Sequence, residues 1–111
     1  MKKHYFALDL KDDPQLIEAY DTYHQQVWPE IIKSIKDAGI TQLEIYRYGN
    51  RLMMLMETDE TYSAERKAAM DAANEKVQEW ETLMWKYQQA LPGAKPGEKW
   101  VQMNKIFQLQ Q

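Results

Sequence analysis

The 111-residue sequence contains no cysteine. It therefore forms no disulfide and offers no thiolate as a nucleophile or metal ligand, which fits the reducing cytoplasm. The two histidines, His4 and His24, lie on different predicted elements, so we expect no metal site. A Gly-rich phosphate loop and a G-x-S-x-G elbow are also lacking. These absences argue against nucleotide binding through that loop and against the serine chemistry of that elbow.

Long apolar runs and clustered basic residues are lacking as well. The longest apolar run, Leu52 to Met56, is far shorter than a membrane span. Lys2 and Lys3 are followed by no apolar signal region, so we expect no signal peptide. A net charge of −3 without a basic stripe argues against nucleic-acid binding. We expect a cytoplasmic protein with neither a membrane nor a nucleic acid as partner.

Tryptophan and tyrosine, by contrast, are abundant. The chain has 4 Trp and 7 Tyr against 2 Phe. Both side chains combine an apolar face with a polar edge, which suits sugar-like ligands and protein interfaces. Filling the core of a small protein explains some of these rings as well.

The apolar pattern predicts four strands and a set of helices. Period-two alternation marks strands at residues 3–10, 40–48, 51–57 and 100–109, and the middle pair forms a hairpin around Gly49 and Asn50. Helical spacing covers residues 14–24, 31–38, 62–73 and 75–90, with a bend at Trp28 and Pro29 and a loop at 91–97. Asp13 and Asn74 are predicted N-caps, and Gly39 ends the second helical piece.

This order predicts one α+β domain over residues 1–111. A β-α-β-β-α-β order is typical of the ferredoxin-like fold, a four-stranded antiparallel sheet with helices on one face. Both hairpin strands carry apolar residues on both faces, so the second face also needs a cover. Two such sheets facing each other would provide it. We therefore predict a homodimer, a dimeric α+β barrel.

The strongest candidate site lies between Tyr20 and Glu30. Tyr20 and His24 share one face of a helix, and Pro29 bends the chain just beyond them. Because histidine titrates near neutrality, acid–base chemistry is possible here. Candidate carboxylate partners are Asp9, Glu44 and Glu57. The alternative is that the histidine packs in the core and the carboxylates are solvated strand residues.

A longer motif resembles a known family. Tyr20-x-x-x-His24-x-x-Val-Trp28-Pro29-Glu30, followed by Glu44-Ile45-Tyr46 and Trp85-Lys86-Tyr87, resembles the L-rhamnose mutarotase family over nearly the whole chain. The segments 9–14, 39–40, 44–52, 77–85 and 96–100 are similar to its L-fucose mutarotase branch.

This resemblance implies a cofactor-free isomerase that interconverts the α and β anomers of a 6-deoxy-L-sugar, a monosaccharide. It assigns the role of proton donor to His24 and substrate contacts to Tyr20 and Trp85. The rhamnose branch has a substrate-contacting tyrosine at the position of Leu43 and a tryptophan at that of Met84. These two differences favour L-fucose as the substrate.

Two alternatives stay open. The first is the same reaction on L-rhamnose. The second belongs to another class, a non-catalytic ligand-binding protein or a monooxygenase-type dimeric α+β barrel, because a fold alone does not determine a function.

Overall fold

A computed structural model describes residues 2–110 of the chain. The strands are β1 (Lys2–Leu10), β2 (Ile40–Tyr48), β3 (Arg51–Thr58), β4 (Gln88–Gln89) and β5 (Val101–Gln102). The helices are α1 (Pro14–Gln25), α2 (Pro29–Asp37), α3 (Ala64–Ala72) and α4 (Glu75–Trp85). All strand pairs are antiparallel, in the order β2-β3-β1-β4, and β5 also pairs with β1. This is the predicted α+β arrangement with one antiparallel sheet.

Side-chain caps define the starts of the helices. The Asp13 carboxylate accepts hydrogen bonds from the backbone N–H groups of Gln15 and Leu16, at 2.9 and 3.4 Å. Asn74 caps α4 in the same way. Both predicted N-caps are therefore confirmed. None of the helices within residues 2–110 is long and apolar enough to cross a membrane.

The chain bends between α1 and α2 as predicted. Trp28 has an extended backbone, with φ −55° and ψ 135°, directly before Pro29 at the start of α2. A proline disfavours helical geometry in the residue before it, so α1 cannot continue into α2. The bend lets the two helices cover different parts of the same sheet.

Gly39 ends α2, as predicted, at a point of close contact. Its φ is +92°, and a Cβ atom there would lie 2.6 Å from both Asp59 Oδ1 and Thr61 Oγ1. The Arg66 guanidinium adds a second restraint, because it donates to the carbonyl oxygen of Asp37 at 2.9 Å. The end of α2 is thus fixed to the segment after β3.

The core lies between one face of the sheet and the helices. Leu8 pairs with Leu52 across β1 and β3, and both side chains are almost fully buried. Buried side chains from the helices pack against this face of the sheet. Those in the main cluster are Tyr20, Ile31, Val77, Trp80 and Met84.

The opposite face of the sheet has no helix on it among the described residues. The register aligns Ala7, Met53 and Tyr46 in one row across β1, β3 and β2. Tyr5 and Leu55 begin the next row. Tyr5 is 39% exposed and Tyr46 53% exposed. The predicted two-sided apolar hairpin is therefore present, with one side covered by helices.

The predicted helix at 75–90 is too long. Helix α4 ends at Trp85, and Gln88 and Gln89 form the short strand β4 against β1. The Lys11 N–H also donates to the carbonyl oxygen of Tyr87 at 2.8 Å. Pairing with β1 satisfies backbone groups that a longer helix would leave unpaired on this strand.

The predicted last strand at 100–109 is also too long. Only Val101 and Gln102 form β5, and the Met103 N–H adds one bond to the carbonyl oxygen of Tyr5 at 2.8 Å. Residues 104–110 have no regular secondary structure, and Ile106 is 95% exposed. Alternation predicts an extended segment with two distinct faces, but a strand also requires a neighbour with which to pair.

Candidate active site

A cavity of about 540 Å³ lies between the helices and the covered face of the sheet. All four helices and strands β2, β3 and β4 contribute to its walls, together with residues 99 and 100. The walls are mainly apolar with a few polar groups, as is common for small-molecule sites. A second depression of about 870 Å³ lies along α1 and the bend after it. Tyr23 and Trp28 of the candidate stretch line it, but His24 and the predicted substrate contacts do not.

Most of the predicted site residues meet at the first cavity. Tyr20, His24, Leu43 and Met84 all line it. They come from α1, β2 and α4, so the fold brings together side chains that are more than sixty positions apart in the sequence. The two positions at which the resemblance contrasts this chain with the rhamnose branch, Leu43 and Met84, therefore both line the cavity.

Trp85 lies outside this lining. It follows Met84 on α4, and successive helical residues point about 100° apart, so the two side chains face different directions. Trp85 is 38% exposed, and Lys99 Nζ lies 5.1 Å from the centre of its ring. Lys99 itself lines the cavity. The Trp85 ring thus contacts Lys99, a residue that lines the cavity.

The ring of His24 has a fixed orientation. Its Nδ1 lies 2.8 Å from the carbonyl oxygen of Tyr20, one helical turn earlier. A carbonyl oxygen only accepts, so Nδ1 carries a proton and donates this bond. Nε2 then holds the lone pair of the neutral ring. The imidazole can exchange a proton through Nε2 while Nδ1 remains bound to the helix.

Aromatic rings surround this histidine. The Tyr20 ring centre lies 4.3 Å from the imidazole centre, and the Trp80 indole packs edge-on at 5.6 Å. Trp28 packs on the other side of Trp80, with ring centres 5.0 Å apart. These contacts restrict rotation of the imidazole and keep it against the cavity wall.

Tyr20 is the most buried polar group of the site. Its side chain is 3% exposed, and its hydroxyl oxygen accepts a hydrogen bond from Gln88 Nε2 at 3.2 Å. Burial raises the pKa of the Tyr20 phenol above its ordinary value of 10.0, and the bond from Gln88 opposes that rise in part. The phenol is therefore protonated at neutral pH and able to donate.

The candidate carboxylates do not reach His24. Strand alternation places Asp9, Glu44 and Glu57 on the sheet face opposite the cavity. Asp9 Oδ1 accepts from Arg51 Nε at 2.7 Å, and Glu57 lies 3.7 Å from Lys3. Glu44 accepts from the Tyr46 hydroxyl, which lowers the pKa of the Glu44 carboxyl. Glu44 and Glu57 are partly exposed strand residues, as the alternative expects, whereas Asp9 is only 8% exposed and pairs with Arg51.

Trp80, Gln88 and Trp100 are among the cavity residues that the sequence did not identify as site residues. Trp80 belongs to the same helical stripe as Met84, so its spacing alone indicated that it faces inwards. Gln88 fell within a helix predicted to continue, and Trp100 stood at the start of the last predicted strand. Nothing in the sequence near Gln88 or Trp100 indicates that their side chains line this cavity. In the described part of the chain, no three His, Asp or Glu side chains form a group that could hold a metal ion.

Comparison with known proteins gives a consistent result. Residues 3–109 match the family model described as L-rhamnose mutarotase. The L-fucose mutarotase of Xanthomonas campestris pv. campestris is 49% identical over 111 positions, covering 98% of this chain and 89% of that protein.

Two solved structures share the fold. An L-rhamnose mutarotase from Formosa agariphila superposes with a TM-score of 0.72 at 21% identity, covering 99% of this chain and 100% of that one. A dimeric ferredoxin-like protein from an uncultured marine organism gives a TM-score of 0.54 at 12% identity, covering 97% and 91%. These likenesses confirm the ferredoxin-like α+β fold. With the family match over residues 3–109 and a relative of nearly half-identical sequence, the chain belongs to the L-rhamnose mutarotase family.

Proposed function

We propose that this protein is an isomerase that interconverts the α and β anomers of L-fucose. The observation that carries the proposal is that His24 lines a mainly apolar cavity of about 540 Å³, while its Nε2 has no hydrogen-bond partner among residues 2–110. The 49% identity to an L-fucose mutarotase directs the choice of reaction and of sugar.

The proposed reaction needs one proton donor and one proton acceptor. In the imidazolium form of His24 both ring nitrogens carry a proton. Nε2 gives its proton to the ring oxygen as the C1–O5 bond breaks, and the neutral Nδ1–H ring remains. The anomeric hydroxyl gives its proton to water, which leaves the open-chain aldehyde. Rotation about C1–C2 and the reverse proton transfers close the ring on the other face. Because the Nδ1–H bond to Tyr20 is unchanged throughout, only Nε2 gains and loses a proton.

The remaining predicted residues have binding roles in this proposal. The Tyr20 hydroxyl donates to the sugar, and Leu43 and Met84 shape the space around its hydroxyl groups. Trp85 contacts the sugar at the side of the cavity that Lys99 lines. Trp80 supports the imidazole and adds an apolar wall suited to the C–H face of a deoxy sugar.

L-rhamnose is the second candidate substrate. The family model and a solved structural relative both carry that name. L-rhamnose and L-fucose differ only in the stereochemistry of ring hydroxyls. Leu43 and Met84 both lie on the cavity wall and both differ from the rhamnose branch, which favours L-fucose.

We also propose that the protein is a homodimer. The apolar row Ala7, Met53 and Tyr46 lies on the sheet face that no described helix covers. Tyr5 and Leu55 extend this row into a patch, and such patches mark protein interfaces. A second copy of the sheet would cover this patch and give the dimeric α+β barrel.

Proton exchange spectroscopy tests the choice of reaction and of sugar. Cross-peaks between the α and β anomeric protons are followed for L-fucose, L-rhamnose and D-galactose, each with and without the purified protein. We expect the largest acceleration for L-fucose. A larger acceleration for L-rhamnose would reassign the substrate. No acceleration for any sugar would favour a ligand-binding or oxygenase function instead.

A further inference from the structure

Gln88 is a buried polar residue on the cavity wall. Its side chain is 6% exposed, and it lines the same cavity as Tyr20 and His24. Strand β4 holds it in place, because Gln88 pairs with Leu10 of β1. Burying an amide is costly unless its hydrogen bonds are made, so its position requires an explanation.

One end of the amide is bound to Tyr20. Gln88 Nε2 donates to the Tyr20 hydroxyl oxygen at 3.2 Å. A phenol whose oxygen already accepts this bond has its own proton free to donate elsewhere. Because the phenol borders the cavity, that proton is available to a bound molecule.

The other end of the amide is unused within the protein. No hydrogen bond to Gln88 Oε1 is found among the described residues, and none of their buried side-chain nitrogen or oxygen atoms lacks a partner. Gln88 Oε1 is therefore not sealed in the core. Since Gln88 lines the cavity, its Oε1 is a candidate acceptor for a ligand there.

We propose that Gln88 determines sugar specificity: its amide directs the Tyr20 hydroxyl proton into the cavity, and its Oε1 accepts from a sugar hydroxyl. This inference rests on the proposed function. Together, the phenol donor and the amide acceptor recognise one arrangement of adjacent hydroxyls. A sugar with the opposite configuration at one of them would leave a buried polar group unpaired, which discriminates strongly.

The first test replaces Gln88 with methionine, which keeps the length of the side chain and removes both hydrogen bonds. The matched control is Gln89→Met, on the neighbouring exposed residue of β4. We expect Gln88→Met to lower kcat/KM for L-fucose about tenfold or more, as loss of a specific hydrogen bond would. We expect a smaller decrease of kcat/KM for L-rhamnose, so that the ratio of the two kcat/KM values moves closer to one. An unchanged preference would overturn the inference.

Gln88→Glu separates this role from a structural one. A carboxylate would accept the Tyr20 proton and turn it away from the sugar, whereas a protonated carboxyl restores a donor. We expect the kcat/KM of Gln88→Glu relative to wild type to rise as the pH falls from 8 to 5. A constant ratio would mean that Gln88 only supports the fold.

A double-mutant cycle with Tyr20→Phe tests the coupling between the two side chains. Removing the phenol hydroxyl should make the effect of Gln88→Met clearly smaller, and fully additive effects would contradict the proposed coupling. If Gln88→Met does not fold, as judged by circular dichroism, Gln88→Asn replaces it in both experiments.

If the proposed function is wrong, the wild-type protein accelerates anomer exchange for none of the sugars. This result is distinct from any effect of a Gln88 substitution. In that case calorimetric affinities for L-fucose and L-rhamnose compare wild type with Gln88→Met. Equal affinities in the two proteins would overturn the role of Gln88 as well.

Discussion

The two ring nitrogens of His24 have different environments. Nδ1 lies 2.8 Å from the carbonyl oxygen of Tyr20, which can only accept, and Nε2 has no hydrogen-bond partner among residues 2–110. The neutral ring is therefore expected as the Nδ1–H tautomer. That tautomer leaves the lone pair on Nε2, the nitrogen that is not bound to the helix. Such fixed orientation of a ring is a recurring requirement of acid–base catalysis.

Nitrogen-15 NMR tests this tautomer directly. At a pH where the ring is neutral, the His24 shifts should show a protonated Nδ1 and an unprotonated Nε2. His4 is the internal comparison, since its Nε2 lies 3.3 Å from the Thr58 hydroxyl, which can donate or accept. A neutral His24 protonated on Nε2 would contradict the proposed proton route.

Trp80 and Trp85 should differ in what their substitution changes. Trp85 is 38% exposed and lies beside the cavity residue Lys99, so Trp85→Phe is expected to raise KM severalfold with little effect on stability. Trp80 is 8% exposed within the core, so Trp80→Phe should cost roughly 1–2 kcal/mol of unfolding free energy. Urea unfolding and sugar-dependent exchange rates measure the two effects. An unchanged KM in Trp85→Phe would exclude Trp85 from the sugar site.

At the scale of elements, the junction of α2 and β2 depends on one glycine. Gly39 has φ +92°, and its Cα lies against Asp59 and Thr61. Gly39→Ala should lower the free energy of unfolding by roughly 2–4 kcal/mol, because backbone strain adds to steric overlap. Gly97→Ala is the matched control, because Gly97 has φ +80° with open space around it. Gly97→Ala should lower the free energy of unfolding by about 1 kcal/mol, because it adds backbone strain alone.

Urea unfolding of the two variants separates these contributions. The difference between the two losses measures the close packing of the junction. Equal losses would show that the segment after β3 yields to a methyl group, and that the junction is not the rigid point that the geometry indicates.

Local sequence signals predicted most elements correctly. Each of these signals depends on residues close together in the chain. They are the alternation of apolar residues in the strands, the N-caps Asp13 and Asn74, and the bend before Pro29. The two errors involve tertiary pairing. Residues 86–90 are compatible with a helix, but pairing of Gln88 and Gln89 with β1 takes precedence. Residues 103–109 alternate like a strand, but no long partner strand for them is found among residues 2–110.

The candidate site was predictable to a similar extent. Tyr20 and His24 are one helical turn apart, so a local pattern places them together. Leu43 and Met84 came from the family resemblance and also line the cavity. Gln88 could not be found in this way, because its bond to Tyr20 joins residues 68 positions apart. Contacts of that kind arise only from the folded chain.

At the scale of the whole molecule, the uncovered sheet face predicts association. Light scattering should give twice the chain mass of 13.2 kDa. Met53→Arg places a charge in the middle of the apolar row and should yield a monomer, because a buried unpaired charge is costly. Gln15→Arg, which adds the same charge on exposed α1, should leave the dimer intact. A monomeric wild-type protein would contradict the barrel arrangement.

The proposed catalysis depends on proton exchange between His24 and a sugar ring. The decisive measurement is the rate of α–β exchange of L-fucose with wild-type protein, His24→Asn and His4→Asn. The chain has no other histidines, and His4 lies outside the cavity, so it is the matched control. We predict acceleration by wild type and His4→Asn, and a return to the uncatalysed rate in His24→Asn. Full acceleration by a folded His24→Asn variant would show that His24 does not exchange protons with the sugar.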